Sequence, residues 1–301
     1  MTKPLSLVTG AAGFIGSNLT DYLLEQGHRV VCVDNESAES NEEFYWNPKA
    51  YNVNGDITDY KFMKNVFGNG VDYVFHLAAE SRIQPAILNP IQAVNTNCVG
   101  TCTVLQCARE AGAKKVIYSS TSSAYGFNKP PNSEQQPDDC LNPYSVSKVA
   151  GEKLCSIYKS LYGLKTVTLR YFNVYGERQP IRGQYAPVIG IFLRQRADAE
   201  PLTIVGDGEQ RRDFTHVSDV VQANILAATK EVDDQYYGCV YNVGNGENYS
   251  INEIADAISD NKINIPPREG ESRLTLAQNT LLTLIFGWRP QVNLMDWIKA
   301  Q

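Results

Sequence analysis

Short runs of apolar, often β-branched residues alternate with longer amphipathic stretches through the first half of the chain. The runs predict strands at Leu5–Thr9, Val30–Asp34, Tyr51–Asn54, Tyr73–Leu77, Lys115–Ser119 and Lys165–Tyr171. The amphipathic stretches predict helices at Phe14–Gln26, Tyr60–Phe67, Asn89–Ala111 and Val146–Leu161. Because single helices separate the strands, this order predicts a doubly wound parallel sheet of the Rossmann type.

The second half of the chain has a looser pattern. Glycine and proline cluster in residues 176–187 and 206–208, which is typical of irregular ligand-binding loops. A helix at Val217–Thr229 and a strand at Val240–Val243 are expected to return to the sheet, and the tail predicts a helix at Ile251–Ser259 and a helical cap ending in Trp297. We therefore expect an α/β protein with a Rossmann domain (residues 1–172 and about 214–243) and a smaller mixed α/β substrate-binding domain (173–213 and 244–301).

A glycine-rich turn joins the first predicted strand to the first predicted helix. Its sequence is Gly10-Ala11-Ala12-Gly13-Phe14-Ile15-Gly16, and Asp34 ends the second strand. Such glycines let the backbone approach a pyrophosphate, which then lies at the N-terminus of the helix. The carboxylate of Asp34 can accept hydrogen bonds from an adenosine ribose and would repel a 2′-phosphate. The arrangement predicts a dinucleotide site that prefers NAD to NADP.

Tyr144 and Lys148 form the second chemically informative pair. Their spacing places both side chains on one face of a helix that begins after Pro143. A lysine ammonium beside a phenol favours the phenolate, so we expect a lowered pKa for Tyr144. The hydroxyl-rich segment 119–126 follows a predicted parallel strand, and open α/β sheets bind ligands at that edge. The pair therefore predicts acid–base chemistry beside the dinucleotide.

Composition and charge exclude several other kinds of function. The chain has 301 residues, a formal net charge of −6 and a pI near 5.2. Its sequence has no cluster of basic residues that would favour nucleic acid or an anionic membrane as partner. No apolar stretch approaches the roughly 20 residues that span a bilayer, and the N-terminus enters a strand without a secretory leader. Seven cysteines and three histidines lack metal-ligand spacing. We expect a soluble, cytoplasmic protein without a metal site.

Further segments follow in order along nearly the whole chain: Gly55-Asp56-Ile57, residues 76–79, 97–101, 170–176, 206–214 and 267–271. Together with the glycine turn and the Tyr144/Lys148 pair, they resemble the extended short-chain dehydrogenase/reductase superfamily, and within it the NAD-dependent UDP-sugar 4-epimerases. The resemblance implies a redox-neutral inversion through a transient 4-keto sugar. Tyr144 would take the proton of the sugar 4-hydroxyl while C4 passes a hydride to NAD, and the hydride would then return to the opposite face.

The resemblance also implies a role for individual residues. Thr121, in the place of the usual serine, Tyr144 and Lys148 would be catalytic. The cofactor would be bound by Gly10, Gly13, Phe14, Ile15, Gly16, Asp34, Asn35, Asp56, Ile57, Leu77, Ala78, Ala79, Asn97, Ser119, Tyr144, Lys148 and Tyr171. The UDP-sugar would be bound by Thr121, Asn173, Arg212, Arg268 and Thr275. The two guanidiniums suit a diphosphate, which they can bind through charge-assisted hydrogen bonds.

Several alternatives bear on the substrate. Thr275 lies where a tyrosine is associated with relatives restricted to UDP-glucose and UDP-galactose, so its small side chain permits the N-acetylated pair as well. Ser122 and Ser123 replace the Asp-Glu pair of dehydratases, which disfavours dehydration. Asn173 and Pro180 disfavour a UDP-glucuronate 4-epimerase, which stays open together with another nucleotide-sugar oxidoreductase. A non-catalytic NAD or nucleotide-sugar sensor is the least favoured, because the catalytic residues are all present.

The resemblance further implies a homodimer built through a four-helix bundle. The corresponding helices are Asn89–Ala111 and Val146–Leu161. Their apolar residues Val99, Val104, Leu105, Leu154, Ile157 and Leu161 would supply the seam. The pattern alone does not separate such a seam from burial against the chain's own sheet.

Overall fold

Seven parallel strands form the central sheet of the computed structural model, which describes residues 3–38, 43–68, 70–182, 186–267 and 272–301. The strands along the chain are β1 (Leu5–Thr9), β2 (Arg29–Asp34), β3 (Tyr51–Asn54), β4 (Tyr73–His76), β5 (Lys115–Thr121), β6 (Thr166–Tyr171), β7 (Val174–Tyr175), β8 (Leu202–Val205), β9 (Arg211–Asp213), β10 (Thr215–His216), β11 (Cys239–Val243), β12 (Asn248–Ser250) and β13 (Lys262–Ile265). The sheet order is β11-β6-β5-β4-β1-β2-β3, with every neighbouring pair parallel. The predicted doubly wound Rossmann-type sheet is therefore confirmed.

Helices cover both faces of this sheet and build the second core. They are α1 (Phe14–Glu25), α2 (Tyr60–Phe67), α3 (Ile83–Leu88), α4 (Pro90–Val94), α5 (Thr101–Glu110), α6 (Pro143–Tyr162), α7 (Val188–Ala197), α8 (Val217–Thr229), α9 (Ile251–Ile258), α10 (Thr280–Phe286) and α11 (Leu294–Lys299). Helix α6 begins three residues before the amphipathic stretch Val146–Leu161, next to the start expected from the Tyr144/Lys148 pair, because Asn142 and Ser145 form a reciprocal capping box around its first turn. This start places Tyr144 in the first turn.

The predicted helix Asn89–Ala111 is interrupted by a π turn over Asn95–Gly100, between α4 and α5. A Cβ on Gly100 would lie 2.5 Å from the Cδ1 atom of Ile57, so a larger residue there would require the Ile57 side chain to move. The π turn also carries Asn97, which is fully buried. Such turns are often found at functional sites, because they change the direction in which side chains point.

The two faces of the sheet bury separate apolar clusters. Successive residues of a strand point to opposite faces, so Val8 packs with α1 and α8 while Leu7 packs with α2 and α5. A third cluster, which includes Tyr175, Ile189 and Ile254, lies among residues that follow β6. In contrast, Phe286 and Trp288 of the tail pack against the sheet. The predicted division into two domains stays a prediction.

The seam predicted for a dimer is only partly exposed. Val104 and Leu105 are completely buried in the chain's own core, so these two residues were assigned wrongly, whereas Leu154 is half-buried and packs against that core. The reason is that α5 and α6 each bury one face against the sheet, and periodicity does not say which face that is. Val99, Ile157 and Leu161 are exposed as expected.

Three small sheets lie beyond the large one, pairing β7 with β10, β9 with β12 and β8 with β13. These strands have two to four residues each, too few for an alternating pattern to be recognised. The sequence analysis missed them, together with α3, α7 and α10. Within the described ranges, no helix is long and apolar enough to cross a membrane. No group of three metal-ligating side chains is found there either.

Candidate functional site

A cavity of about 520 Å³ lies at the carboxyl edge of the sheet, a size typical of small-molecule sites. Most of the site residues predicted from the sequence line it: Gly10, Gly13, Phe14, Ile15, Gly16, Asp34, Asn35, Ile57, Leu77, Ala78, Ala79, Ser119, Thr121, Tyr144, Lys148, Tyr171, Asn173, Arg212 and Thr275. The fold thus brings the glycine turn, the Tyr144/Lys148 pair and the residues near Thr275 to one space.

Two predicted cofactor residues, Asp56 and Asn97, do not line the cavity but bond to residues in or next to its lining. Asp56 accepts hydrogen bonds from the Thr58 backbone and hydroxyl (2.8 and 2.7 Å) and from Nδ2 of Asn35 (3.0 Å). Burial raises the pKa of Asp56, but these hydrogen bonds lower it below its usual value. Asn97 binds both backbone polar groups of Glu80, at 2.8 and 3.0 Å. Arg268 lies outside the described residues.

The glycine turn is packed too closely to admit side chains. Gly10 has a φ of +68°, and a Cβ there would lie 2.7 Å from the backbone nitrogen of Ala78. A Cβ on Gly16 would lie 2.0 Å from the carbonyl oxygen of Gly10. Asp34 accepts hydrogen bonds from the backbone nitrogens of Ala12 (3.0 Å) and Glu36 (2.8 Å). The residues therefore fit a dinucleotide, with bare backbone for the pyrophosphate and a carboxylate at the end of β2 for the ribose.

Tyr144 and Thr121 both line the cavity. Burial raises the pKa of Tyr144, while the nearby Thr121 hydroxyl and the charge of Arg82 oppose the increase. The expectation that Lys148 lowers this pKa is not met in the protein itself. The Lys148 ammonium lies 4.3 Å from the ring centroid of Tyr118, and burial lowers its own pKa to about 8.

A buried ion pair lies behind the C-terminal end of β5. Arg170 donates from Nε and Nη2 to the two carboxylate oxygens of Glu152, at 2.8 and 2.6 Å, and also to Asp138 at 2.6 Å. The hydroxyl of Ser120 donates to the same Glu152 carboxylate at 2.5 Å. Since Glu152 belongs to α6 and Ser120 precedes Thr121, this network fixes the helix that carries Tyr144 against the strand that carries Thr121.

The opposite end of the cavity is organised by Asp213, which the sequence analysis did not single out. Its buried carboxylate accepts hydrogen bonds from the backbone nitrogens of Asn245 (2.8 Å), Gly246 (2.9 Å) and Ala277 (2.9 Å). Burial raises the pKa of Asp213 to about 6, against the effect of these hydrogen bonds. Its backbone nitrogen also donates to Oγ1 of Thr275 at 3.3 Å. A single acid thus connects the 244–246 turn to the segment that carries Thr275.

The backbone of Asp213 also positions Asn173. Nδ2 of Asn173 donates to the carbonyl oxygen of Asp213 at 2.7 Å and lies 3.5 Å from Oγ1 of Thr275. Asn173 has a φ of +23°, which is unusual for a residue other than glycine. The only sequence signal for Asp213 was its place after the arginines of the 206–214 segment, and a motif does not show which backbone groups a carboxylate binds.

Arg82 is the second functional candidate that the sequence analysis missed. It follows β4 at the carboxyl edge of the sheet, caps the N-terminus of α3 and lines the cavity. Its Nε atom is buried and has no hydrogen-bond partner among the described residues. A cation just beyond a central parallel strand was the available signal, since ligands bind at that edge.

Comparisons with known proteins agree with this geometry. The UDP-glucose 4-epimerase of Mycolicibacterium smegmatis is 36% identical over 310 residues, covering 97% of this chain and 96% of the relative. The UDP-glucose 4-epimerase of Thermotoga maritima, solved with UDP-glucose, matches with a TM-score of 0.92 and 34% identity, covering 98% of this chain and 96% of that one. The UDP-N-acetylglucosamine 4-epimerase of Methanobrevibacter ruminantium, solved with UDP-N-acetylmuramic acid, matches with a TM-score of 0.90 and 30% identity, covering 99% and 97%.

Residues 6–244 match the NAD dependent epimerase/dehydratase family. This match and the relatives confirm the predicted superfamily, NAD as the cofactor, and an NAD-dependent UDP-sugar 4-epimerase, an isomerase, as the class of enzyme. The chain belongs to the NAD-dependent epimerase/dehydratase family.

Proposed function

We propose that the protein interconverts UDP-glucose with UDP-galactose and also UDP-N-acetylglucosamine with UDP-N-acetylgalactosamine, by inversion at C4. The observation that carries the proposal is the continuity of the cavity. Tyr144 lies in the same space as the glycine turn on one side and Asn173, Arg212 and Thr275 on the other. A sugar bound between these two ends would present its C4 hydroxyl to the phenol of Tyr144.

The Rossmann part, residues 1–172 with about 214–243, is the proposed NAD domain. The glycine turn and the N-terminus of α1 would hold the pyrophosphate, and Asp34 the adenosine ribose. Asp56 and Ile57 would lie at the adenine, and Lys148 at the nicotinamide ribose. When bound, NAD supplies a hydride acceptor that is regenerated within each turnover, so the enzyme needs no external oxidant.

Tyr144 is the proposed acid and base of the reaction. As a phenolate it accepts the proton of the sugar 4-hydroxyl while that carbon is oxidised, and it returns the proton when the ketone is reduced from the opposite face. The Thr121 hydroxyl would favour the phenolate by donating a hydrogen bond to it, and Lys148 lines the same cavity. Burial excludes water, which limits loss of the ketone intermediate.

Residues 173–213 and 244–301 form the proposed UDP-sugar domain. Arg212 lines the cavity and, with Arg268, would bind the diphosphate, while Asn173 would contact the nucleotide. Thr275 lines the sugar end, and its hydroxyl is occupied by the hydrogen bonds to Asp213 and Asn173. A side chain of this size leaves room beside the sugar for an N-acetyl group.

In the first experiment, the purified protein is incubated with UDP-glucose and, separately, with UDP-N-acetylglucosamine, without added cofactor, and the sugars are followed by NMR. Appearance of the C4 epimer of each supports the proposal, because the family's NAD would then be retained during purification. A UDP-glucuronate sample tests the alternative that the sequence left open. Turnover of that sugar alone would overturn the proposed substrates.

Two substitutions locate the chemistry and the specificity. Tyr144→Phe should abolish turnover and leave NAD binding intact, whereas Tyr51→Phe, at an exposed position of β3, should change neither. Thr275→Tyr should reduce turnover of the N-acetylated substrates much more than that of UDP-glucose, since the phenol would fill the space beside C2. Thr275→Ser keeps the hydroxyl and should retain both activities. Equal losses on both substrates in Thr275→Tyr would refute this role of Thr275.

We propose that the protein is a homodimer in which α4–α5 and α6 of the two copies form a four-helix bundle. The supporting observation is an exposed apolar face on these helices, with Ile91 82% and Leu161 67% exposed, together with Val94, Val99, Val146 and Ile157. Light scattering should give twice the mass of the chain, 33.4 kDa. Leu161→Glu should give a monomer, and a wild-type monomer would refute the pairing.

A further inference from the structure

Arg82 is a cation in the cavity for which the reaction described above has no role. Among the described residues it forms no ion pair, and its buried Nε atom has no hydrogen-bond partner. A guanidinium does not lose its proton in proteins, and the groups whose negative charge favours this one are Glu80 and Tyr144. Arg194 also has an unpartnered Nε atom, but its Nη1 atom binds the carboxylates of Asp198 and Glu200, at 3.1 and 2.8 Å.

The loop that carries Arg82 is fixed to the turn that carries Tyr144. Asn97 binds the backbone nitrogen and oxygen of Glu80, and its Nδ2 also donates to Oγ of Ser147 at 2.8 Å. The hydroxyl of Ser147 donates in turn to the carbonyl oxygen of Tyr144 at 2.8 Å. This chain of contacts holds the two cavity-lining side chains in a constant relation, which an electrostatic effect on a proton transfer requires.

We propose that Arg82 is a positioning residue for the proton transfer, whose guanidinium stabilises the phenolate form of Tyr144, the form that accepts the sugar proton and that forms again when the proton is returned. This inference rests on the proposed function, because it assigns Tyr144 the role of acid and base. Arg82 acts through Tyr144 and not by contact with the reacting carbon.

Other charged and titratable groups also face Tyr144. Glu80 precedes Arg82 on the same loop and raises the pKa of Tyr144, whereas Arg82 lowers it. Tyr118 lies behind the helix, and its own pKa is raised by burial first and in small part by Tyr144. Lys148, one turn along α6, has its ammonium over the ring of Tyr118. Arg82 and Glu80 therefore form an opposed pair, and neutralising one should have the opposite effect of neutralising the other.

The test is the pH dependence of kcat in the NAD-loaded enzyme, with whichever UDP-sugar it turns over. Arg82→Gln should move the acidic limb, which reports the phenolate of Tyr144, upward by about one pH unit, and so lower kcat about tenfold on that limb. The KM should change little. Arg82→Lys should restore part of the shift, and Glu80→Gln should move the limb to lower pH. Arg194→Gln is the matched control and should leave the profile unchanged.

Three results would overturn the inference. The first is an acidic limb that does not move in Arg82→Gln. The second is an effect of Arg82→Gln on KM alone, which would make Arg82 a substrate ligand. The third is a shift of the limb in Glu80→Gln with the same sign as in Arg82→Gln, which would indicate general disruption of the loop. If Arg82→Gln does not fold, Arg82→Lys and Glu80→Gln still give opposed shifts to compare. If no UDP-sugar is turned over, the proposed function fails. The phenolate absorbance of Tyr144, taken against Tyr144→Phe in the NAD-loaded protein, then still measures the effect of Arg82.

Discussion

Glu152→Gln should destabilise the protein, because it leaves the positive charge of Arg170 buried without the carboxylate of Glu152. The side chains of Arg170 and Glu152 are only 3% and 1% exposed, and two hydrogen bonds join them. Although burial lowers the pKa of Arg170, its bonds to Glu152 raise it above the ordinary value. Removing one partner of a buried pair typically costs 3–5 kcal/mol. Because Asp138 still compensates part of the charge, we expect about 3 kcal/mol here.

Thermal and denaturant unfolding of nucleotide-free protein would measure this loss. An unfolding entropy of about 2.1 cal/mol/K per residue makes 3 kcal/mol equal to a fall of roughly 5 °C in Tm for 301 residues. Glu110→Gln, at an exposed pair with Lys64, should change stability by less than about 1 kcal/mol. Adding Arg170→Met to Glu152→Gln should recover most of the loss, since it removes the isolated cation. The reasoning is refuted if Glu152→Gln is as stable as Glu110→Gln, or if the double substitution is simply additive.

Three further predictions concern the cavity. Gly16→Ala should weaken NAD binding at least tenfold by calorimetry, because its Cβ would collide with the Gly10 carbonyl. Gly27→Ala is strained by the φ of +82° and should lower stability, but with no atom within 4 Å of the added Cβ it should bind NAD normally. Lys148→Met should be inactive yet more stable at pH 7, by on the order of 3 kcal/mol. Burial lowers the pKa of Lys148 to about 8 from an unfolded value of 10.5. Its ammonium therefore destabilises the fold below pH 8. In unfolding experiments, the stability that Lys148→Met gains over the wild type should disappear above pH 10.5. A stability difference that does not change with pH would contradict this reasoning. Asp213→Asn should lower the free energy of unfolding by about 2 kcal/mol and raise the KM for the UDP-sugar, since the new amide would face a backbone donor. Asp198→Asn, at an exposed position, is the control. Equal KM values for the two variants would contradict the role of Asp213.

The sheet could be predicted from the sequence because its strands are buried on both faces and regularly separated by helices. Strands β1 and β3 and helix α2 have the predicted bounds, and most others differ by one or two residues. The short strands β7, β9 and β10 were missed because two or three residues carry no periodicity. Helix α7 was missed because the glycine and proline cluster of residues 176–187 indicated a loop, although Pro187 only precedes the first residue of the helix.

The candidate site was predictable where chemistry follows from neighbouring residues in the sequence. The glycine turn and the Tyr144/Lys148 pair are each defined by residues a few positions apart in the sequence, and the residues of both line the cavity. The roles of Arg82 and Asp213 depend on groups far away along the chain, so no motif specified them. The expected pKa of Tyr144 failed for the same reason, since burial and the direction of the Lys148 ammonium are properties of the packed structure.

The order in which the strands follow one another along the chain has a consequence for synthesis on the ribosome. Strand β6 ends at Tyr171, but β11, which pairs with its outer edge, begins only at Cys239. A nascent chain therefore exposes an unpaired apolar edge while some seventy residues are added, and such edges favour aggregation. Trp288, which packs against the sheet and donates to the carbonyl of Asp219 at 2.8 Å, emerges later still. Loss of residues 288–301 would thus leave every described residue of the cavity in place and still expose the core beneath it.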